Sequence, residues 1–212
     1  MRLKSKSWAK PLISEHPEYV SLDTMPTTPQ GGFKRHALEI GTGKGDFIVG
    51  KSELQKDTFF YGIERVTTVI AFALKKVLIS KPSNVKLILG DFAKASFQIP
   101  DYLFDEIYLN FSDPWPKVRH HKRRLTAIGN LEKIHRILKP KGIIYLKTDN
   151  LELFEFSLLN LQKMSYTIRA IHRPYVEIDQ HDVMTEYEAF FRQQGQPIYR
   201  CVAQRSEDVK SI

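Results

Sequence analysis

From His36 onward the chain alternates short apolar runs of strand character with segments of helical spacing, and few folds accommodate that order. HALEIG, FFYGIE, VKLILG, FDEIYLN and GIIYLKT are each six or seven residues long. Between them, Arg65 to Ser80 places Val66, Val69, Ile70, Ala73, Leu74 and Val77 at the spacing of one helix face. Ile128, Leu131, Ile134, Ile137 and Leu138 form a second such stripe, stopped by LKPKG. A helix starts near Asp46 after a Gly-rich turn, and Asp149 or Asn150 can cap the helix after the fifth strand. YTIRAIH and PIYRCVAQ add two last strands. Strands this short and apolar, each followed by a helix, predict an α/β fold with a mainly parallel, seven-stranded sheet covered by helices on both faces.

Composition narrows the setting. The 212 residues suit one domain with a sizeable core, and 42% hydrophobic with 26% charged residues is ordinary for a globular protein. Residues 1–32 stand apart as a basic arm carrying Arg2, Lys4, Lys6 and Lys10, then TMPTTPQGG; they are expected to be irregular or to order on binding. The main domain is expected over 33–205, with 206–212 a frayed tail. No apolar run reaches membrane-spanning length and the start lacks a signal-peptide core, so no membrane partner is expected. A single cysteine, Cys201, excludes an internal disulfide and a Cys-based zinc cluster, which suits a reducing cytoplasm. The net charge of +8 points to a polyanionic partner only if the charge clusters.

In α/β sheets ligands bind beyond the carboxyl ends of strands, so the polar residues there carry most information. The first strand ends Glu39-Ile40-Gly41-Thr42-Gly43-Lys44-Gly45. Gly41 and Gly43 permit a tight turn and close approach of a ligand, and the GxGxG spacing disfavours a dinucleotide. Glu64 ends the second strand, where a carboxylate can accept from both hydroxyls of a ribose. Asp91 follows the third and can accept from an adenine amino group; taken alone, it could equally be a helix cap. Three acids at three consecutive strand ends fit S-adenosylmethionine, which has a ribose, an adenine and a cationic end. This set resembles the class I methyltransferases that use that cofactor. Lys44 fits either the ligand or solvent.

The fourth strand runs into NFSDPWPKVRHHKRR, Asn110 to Arg124, with five Lys or Arg and two His in the eight residues from Lys117. Pro114 and Pro116 fix the backbone around Asp113 and Trp115. Beside a reaction centre such cations suit nucleic-acid phosphates better than plain solvation. Trp115 fits either a base stack or the core. Adjacent His120 and His121 lack an evident third ligand, so no metal is expected.

LEIGTGKG, YGIE, GDF, NFSDPWPKVRHHKRR, KTDN and TEYE (Thr185 to Glu188) occur in an order similar to that of the bacterial tRNA (guanine-N7)-methyltransferases of the TrmB type, over about Phe33 to Ala203. The resemblance implies a Rossmann-like class I methyltransferase fold with tRNA as partner; a monomer or homodimer is expected. It implies that Glu39, Glu64, Asp91 and Asp113 line the cofactor pocket, with Asp113 also catalytic. It places Lys117, Asp149 and the segment Thr185, Glu186, Tyr187 and Glu188 at the substrate, and Arg119, His120, His121, Lys122, Arg123 and Arg124 on the RNA. The expected substrate is the guanine at position 46, in the variable loop. Ser112 departs from the family's usual Pro, and Pro116 from a frequent His.

The chemistry expected is undemanding in proton transfer. Guanine N7 carries an in-plane lone pair and no proton, so no general base is required; a fixed carboxylate can orient the base and stabilise charge moving onto it. Asp149 and Glu188 can read the N1–H and 2-amino donors that adenine lacks. Three rival readings compete: an amino-group methyltransferase, since NFSDPW loosely matches that class's motif but lacks its consecutive prolines; a nicotinamide oxidoreductase; and a non-catalytic RNA-binding module.

Overall fold

The computed structural model describes residues 5–25, 27–177 and 179–207. By its internal contacts the chain divides into two compact units, Met1–Ile99 with Asp179–Glu186, and Pro100–Ile178 with Tyr187–Ile212.

The first unit holds α1 (Ala9–Glu15), β1 (Val20–Leu22), β2 (Arg35–Ile40), α2 (Asp46–Leu54), β3 (Thr58–Glu64), α3 (Thr67–Ser80), β4 (Val85–Leu89) and the single turn α4 (Phe92–Ala95). Its strands run in the order β1-β4-β3-β2, all parallel. β3 is buried along its length up to Glu64, and β2 from His36 to Ile40, as strands covered on both faces must be. Four residues of the helical stripe read from the sequence, Ile70, Ala73, Leu74 and Val77, have no exposed surface and form the buried side of α3 with Thr68 and Ala71; Val69 is half-buried and Val66, at the N-cap, is exposed. Gly45, at φ +86°, admits no side chain, because a Cβ there would lie 2.8 Å from that of Ala73 on α3.

The second unit holds β5 (Phe104–Asn110), a 3₁₀ helix (Val118–Arg123), α5 (Ile128–Ile137), β6 (Leu138–Thr148), α6 (Leu151–Lys163), β7 (Thr167–His172), α7 (Glu186–Gln193, from its second residue) and β8 (Tyr199–Gln204). Here the order is β5-β6-β8-β7. β5 and β6 are parallel; β8 runs antiparallel between β6 and β7. Asn150 is the cap of α6, accepting from Leu153 N at 2.8 Å. The second stripe buries Leu131, Ile134 and Ile137 on α5.

Among the described residues eight strands therefore stand where seven are predicted, and the additional one is β1, inside the segment read as an irregular arm. That segment carries a helix and a strand because it has its own apolar anchors. Ala9 and Ile13 of α1 are buried, Trp8 meets Phe72 edge-on at 5.1 Å, and Lys75 Nζ sits 3.7 Å from the Trp8 ring centre. β1 pairs with β4 from Val20 to Leu22, and Lys86 Nζ donates to the carbonyls of Pro17 and Glu18 at 2.8 and 2.9 Å. Arg2, Lys4 and most of the expected tail, from residue 208, lie outside the described residues.

The ring pair and the cation over Trp8 are together worth about 2 kcal/mol. Trp8→Ala is expected to lower the unfolding free energy by at least that amount in denaturant titration. A loss below about 0.5 kcal/mol, the scale of an ordinary surface substitution, would show that α1 is not anchored in this way.

Candidate active site

β2, β3 and β4 are parallel neighbours, so their carboxyl ends share one edge of the first unit. Three of the acids singled out in the sequence stand there. Glu39 is buried, and its Oε2 accepts from Thr42 Oγ1 at 2.6 Å. Glu64 Oε1 accepts from Val66 N at 2.9 Å and Oε2 from Gly43 N at 3.3 Å, which ties the glycine turn to the end of β3. The turn is further fixed by Gly41 N and Thr42 N, both donating to Ile63 O. Asp91 caps α4, with Oδ1 accepting from Ala93 N at 2.8 Å. Gly41 adopts φ +83°, and a Cβ there would meet no atom within 4 Å, so the backbone faces open space at that point. Lys44 ion-pairs with Glu186 at 2.6 Å.

In the second unit β5 ends at Asn110 and the chain turns at once, with Phe111 N donating to Lys147 O at 2.8 Å. Phe111 and Trp115 have φ of 49° and 41°, conformations non-glycine residues seldom adopt. Asp113, exposed, lies between them. The basic run then forms the 3₁₀ helix, whose three residues per turn sort it onto three edges. Arg119 and Lys122 share an exposed edge. His120 and Arg123 share the edge beside Trp115: the imidazole meets the indole edge-on at 5.8 Å, and the guanidinium lies 4.9 Å over it. Trp115 is thus neither a core residue nor a bare platform. His121, half-buried, lies beside Arg124, the residue that caps the helix. Arg124 is 1% exposed, contrary to the RNA contact expected of it. Its Nε donates to Pro114 O at 2.8 Å; its Nη2 donates to Glu152 Oε1 at 2.6 Å and His121 Nε2 at 2.9 Å, with Trp115 O at 3.4 Å. Phe156 stacks under it at 4.6 Å and meets His121 edge-on at 5.7 Å. The hydrogen bond from Arg124 holds the Glu152 carboxyl below its ordinary range.

The segment Thr185 to Glu188 divides as well. Thr185 is buried, while Glu186 and Tyr187 are exposed. Glu188, expected to meet the substrate, has no exposed surface: Oε2 pairs with Lys147 Nζ at 2.7 Å, and Oε1 accepts from Arg192 Nε and Nη2 at 3.0 and 2.8 Å. Its oxygens are directed to two cations because a buried carboxylate needs such partners. Tyr187 stacks beside Phe111 at 6.5 Å, and Phe191 does so at 5.9 Å. Lys117 is exposed and Asp149 partly so. Among the described residues no group of three potential metal ligands occurs.

A family model described as "Putative methyltransferase" matches residues 34–201. A "tRNA (guanine-N(7)-)-methyltransferase" of Lactobacillus johnsonii is 40% identical over 210 residues, covering 94% of this chain and 96% of the relative. The chain belongs to the TrmB-type tRNA (guanine-N7)-methyltransferase family. A second TrmB-type relative, with the same name and from Limosilactobacillus reuteri, is 43% identical over 210 residues, 96% of this chain and 99% of its own. Among solved structures, an antibiotic-related methyltransferase superposes with a TM-score of 0.61 at 18% identity over 96% of both chains. The α/β architecture is therefore the Rossmann-like class I methyltransferase fold. The sequence reading missed the partners that hold the family motifs: Thr42 on Glu39, Glu152 and Phe156 on Arg124, and Lys147 and Arg192 on Glu188. No sequence signal marked Arg124 as inward, since Val118, two periods of three before it, is exposed.

Burial pushes the Glu64 carboxyl above its ordinary value of 4.5, against the opposing donors of Val66, Gly43 and Arg65. The folded state thus holds this proton more tightly than the unfolded chain. Its contribution is fully present below the ordinary carboxylate range and is lost as pH rises through the raised folded value. Glu64→Gln is accordingly expected to raise the ligand-free Tm at pH 7.5, with the gain closing toward pH 4. A Tm difference constant across that range would remove the desolvation account.

Proposed function

We propose that this protein transfers a methyl group from S-adenosylmethionine to N7 of the guanine at position 46 in the variable loop of tRNA, giving 7-methylguanosine, in the cytoplasm. The observation that carries the reading is the turn after β5: an exposed carboxylate, Asp113, between two residues held at positive φ and followed by the exposed cations Arg119 and Lys122. The names of the relatives, alike in sequence over nearly the whole chain, support the same reaction. No described helix is long and apolar enough to cross a membrane.

The residues present fit the cofactor. The open backbone at Gly41 leaves room for close approach, and Glu39, Glu64 and Asp91 supply acceptors for a cationic end, a ribose diol and an adenine amine. When bound, S-adenosylmethionine supplies an electrophilic methyl on a positively charged sulfur. Asp113 accepts from the guanine N1–H or 2-amino group, orients N7 in line and stabilises the positive charge the ring acquires; it removes no proton, since N7 has none. Asp149 reads the same donor edge, and Glu188, paired with Lys147 and Arg192, anchors α7 instead. Arg119 and Lys122 contact phosphates, and Trp115 with its cationic neighbours borders the base.

The test is methyl transfer from labelled S-adenosylmethionine to unmodified tRNA, with nucleoside mass spectrometry of the product. 7-Methylguanosine in the variable loop is expected; another methylated nucleoside would sink the substrate assignment. Asp113→Ala should lower kcat about 10²–10³-fold while tRNA affinity holds; unchanged turnover would remove Asp113 from the mechanism. Arg119→Ala with Lys122→Ala should lessen the slope of log K against log salt by about two, and an unaltered slope would show that these cations do not meet phosphates.

A further inference from the structure

We propose that Arg124 is a positioning residue of the reaction, a buried clamp that sets the backbone of the turn carrying Asp113. The proposal rests on the methyl-transfer reading above for its effect on rate, but the clamp itself is a property of the fold.

The turn from Asn110 to Lys117 has reason to need a clamp. Phe111 and Trp115 both sit at positive φ, each costing about 1–3 kcal/mol against relaxation to ordinary backbone. Pro114 and Pro116 restrict φ at their own positions but donate no hydrogen bond. What meets the carbonyls on the far side of Asp113 is one guanidinium, with Nε on Pro114 O at 2.8 Å and Nη2 reaching Trp115 O at 3.4 Å.

Arg124 is in turn held from three sides. Glu152, in the first turn of α6, accepts at 2.6 Å; His121, one 3₁₀ turn earlier, accepts at 2.9 Å; and the Phe156 ring lies beneath at 4.6 Å. A planar fork with five donors can address two successive carbonyls and a carboxylate together; a lysine ammonium of the same charge cannot. The rigid α6 thereby fixes the loop, and a catalytic carboxylate on that loop inherits the position. A shift of about 1 Å at such a group can cost about a hundredfold in rate.

Arg124→Lys distinguishes this role from a phosphate contact, because lysine serves well at a phosphate. The clamp predicts that R124K lowers kcat about 10–100-fold with KM for tRNA within about threefold and an unchanged salt slope. It also predicts non-additivity: in an Asp113→Asn background R124K should cost little more, since there is no carboxylate left to position. Wild-type kcat in R124K, or full additivity with D113N, overturns the proposal.

A second readout is independent of the reaction. With Trp8→Phe, Trp115 is the sole tryptophan of the chain. In that background R124K should shift Trp115 emission to the red and increase its quenching by acrylamide. Glu152→Gln, at a side chain 59% exposed and so tolerant of change, should shift both in the same direction but by less. Unaltered emission and quenching in both variants overturns the clamp whatever the enzyme does. Absence of 7-methylguanosine from the wild-type reaction would instead sink the functional reading, and the Trp115 measurements would still decide whether the clamp exists.

Discussion

Burial of the parallel strands on both faces is the constraint from which the rest follows. β2 and β3 are covered along most of their length, so a polar side chain there has no water to face. Polar chemistry is displaced to where the strands stop, and parallel neighbours stop on the same edge. Glu39, Glu64 and Asp91 occur on one edge for this reason, although 52 residues separate the first from the last. In the second unit β5 and β6 repeat the pattern, with Asp113 three residues past one strand end and Asp149 directly past the other.

Buried charge is handled with more than one partner. Glu188 is met by Lys147 and Arg192, and Arg124 by a carboxylate, an imidazole, two carbonyls and an aromatic face. A lone buried ion would cost several kcal/mol, about the scale of a domain's whole stability, whereas a fully partnered one is closer to neutral and directional. That direction is useful next to a reaction centre. The pairs at Glu188 fasten α7, which also carries Tyr187, and those at Arg124 fasten the turn that carries Asp113.

Much of this was legible in the sequence because it depends on period and order. Alternating apolar runs located the seven strands from β2 to β8, and the polar residues at or just past their ends included the acids. The antiparallel insertion of β8 between β6 and β7 was not legible, since pairing order leaves no local trace in a strand. Nor was the ordering of the N-terminal segment: its composition resembles a basic tail, and only the fit of Trp8 to Phe72 and Lys75 shows otherwise. Glu188 was read as a free acceptor because sequence gives the acid without its partners. Lys147 gave no clue by register, since it shares its strand face with the half-buried Ile143 and Tyr145 and not with the buried Ile144 and Leu146.

The basic run shows most sharply how one pattern serves two purposes. Read as composition, Lys117 to Arg124 is a uniform patch of positive charge. Wound at three residues per turn from Val118 to Arg123, it presents charge outward at Arg119 and Lys122 and lays it on an indole at Arg123; Arg124, where the backbone leaves the helix, carries it inward. The same few residues thus place charge at the surface and support from the interior the turn that carries Asp113.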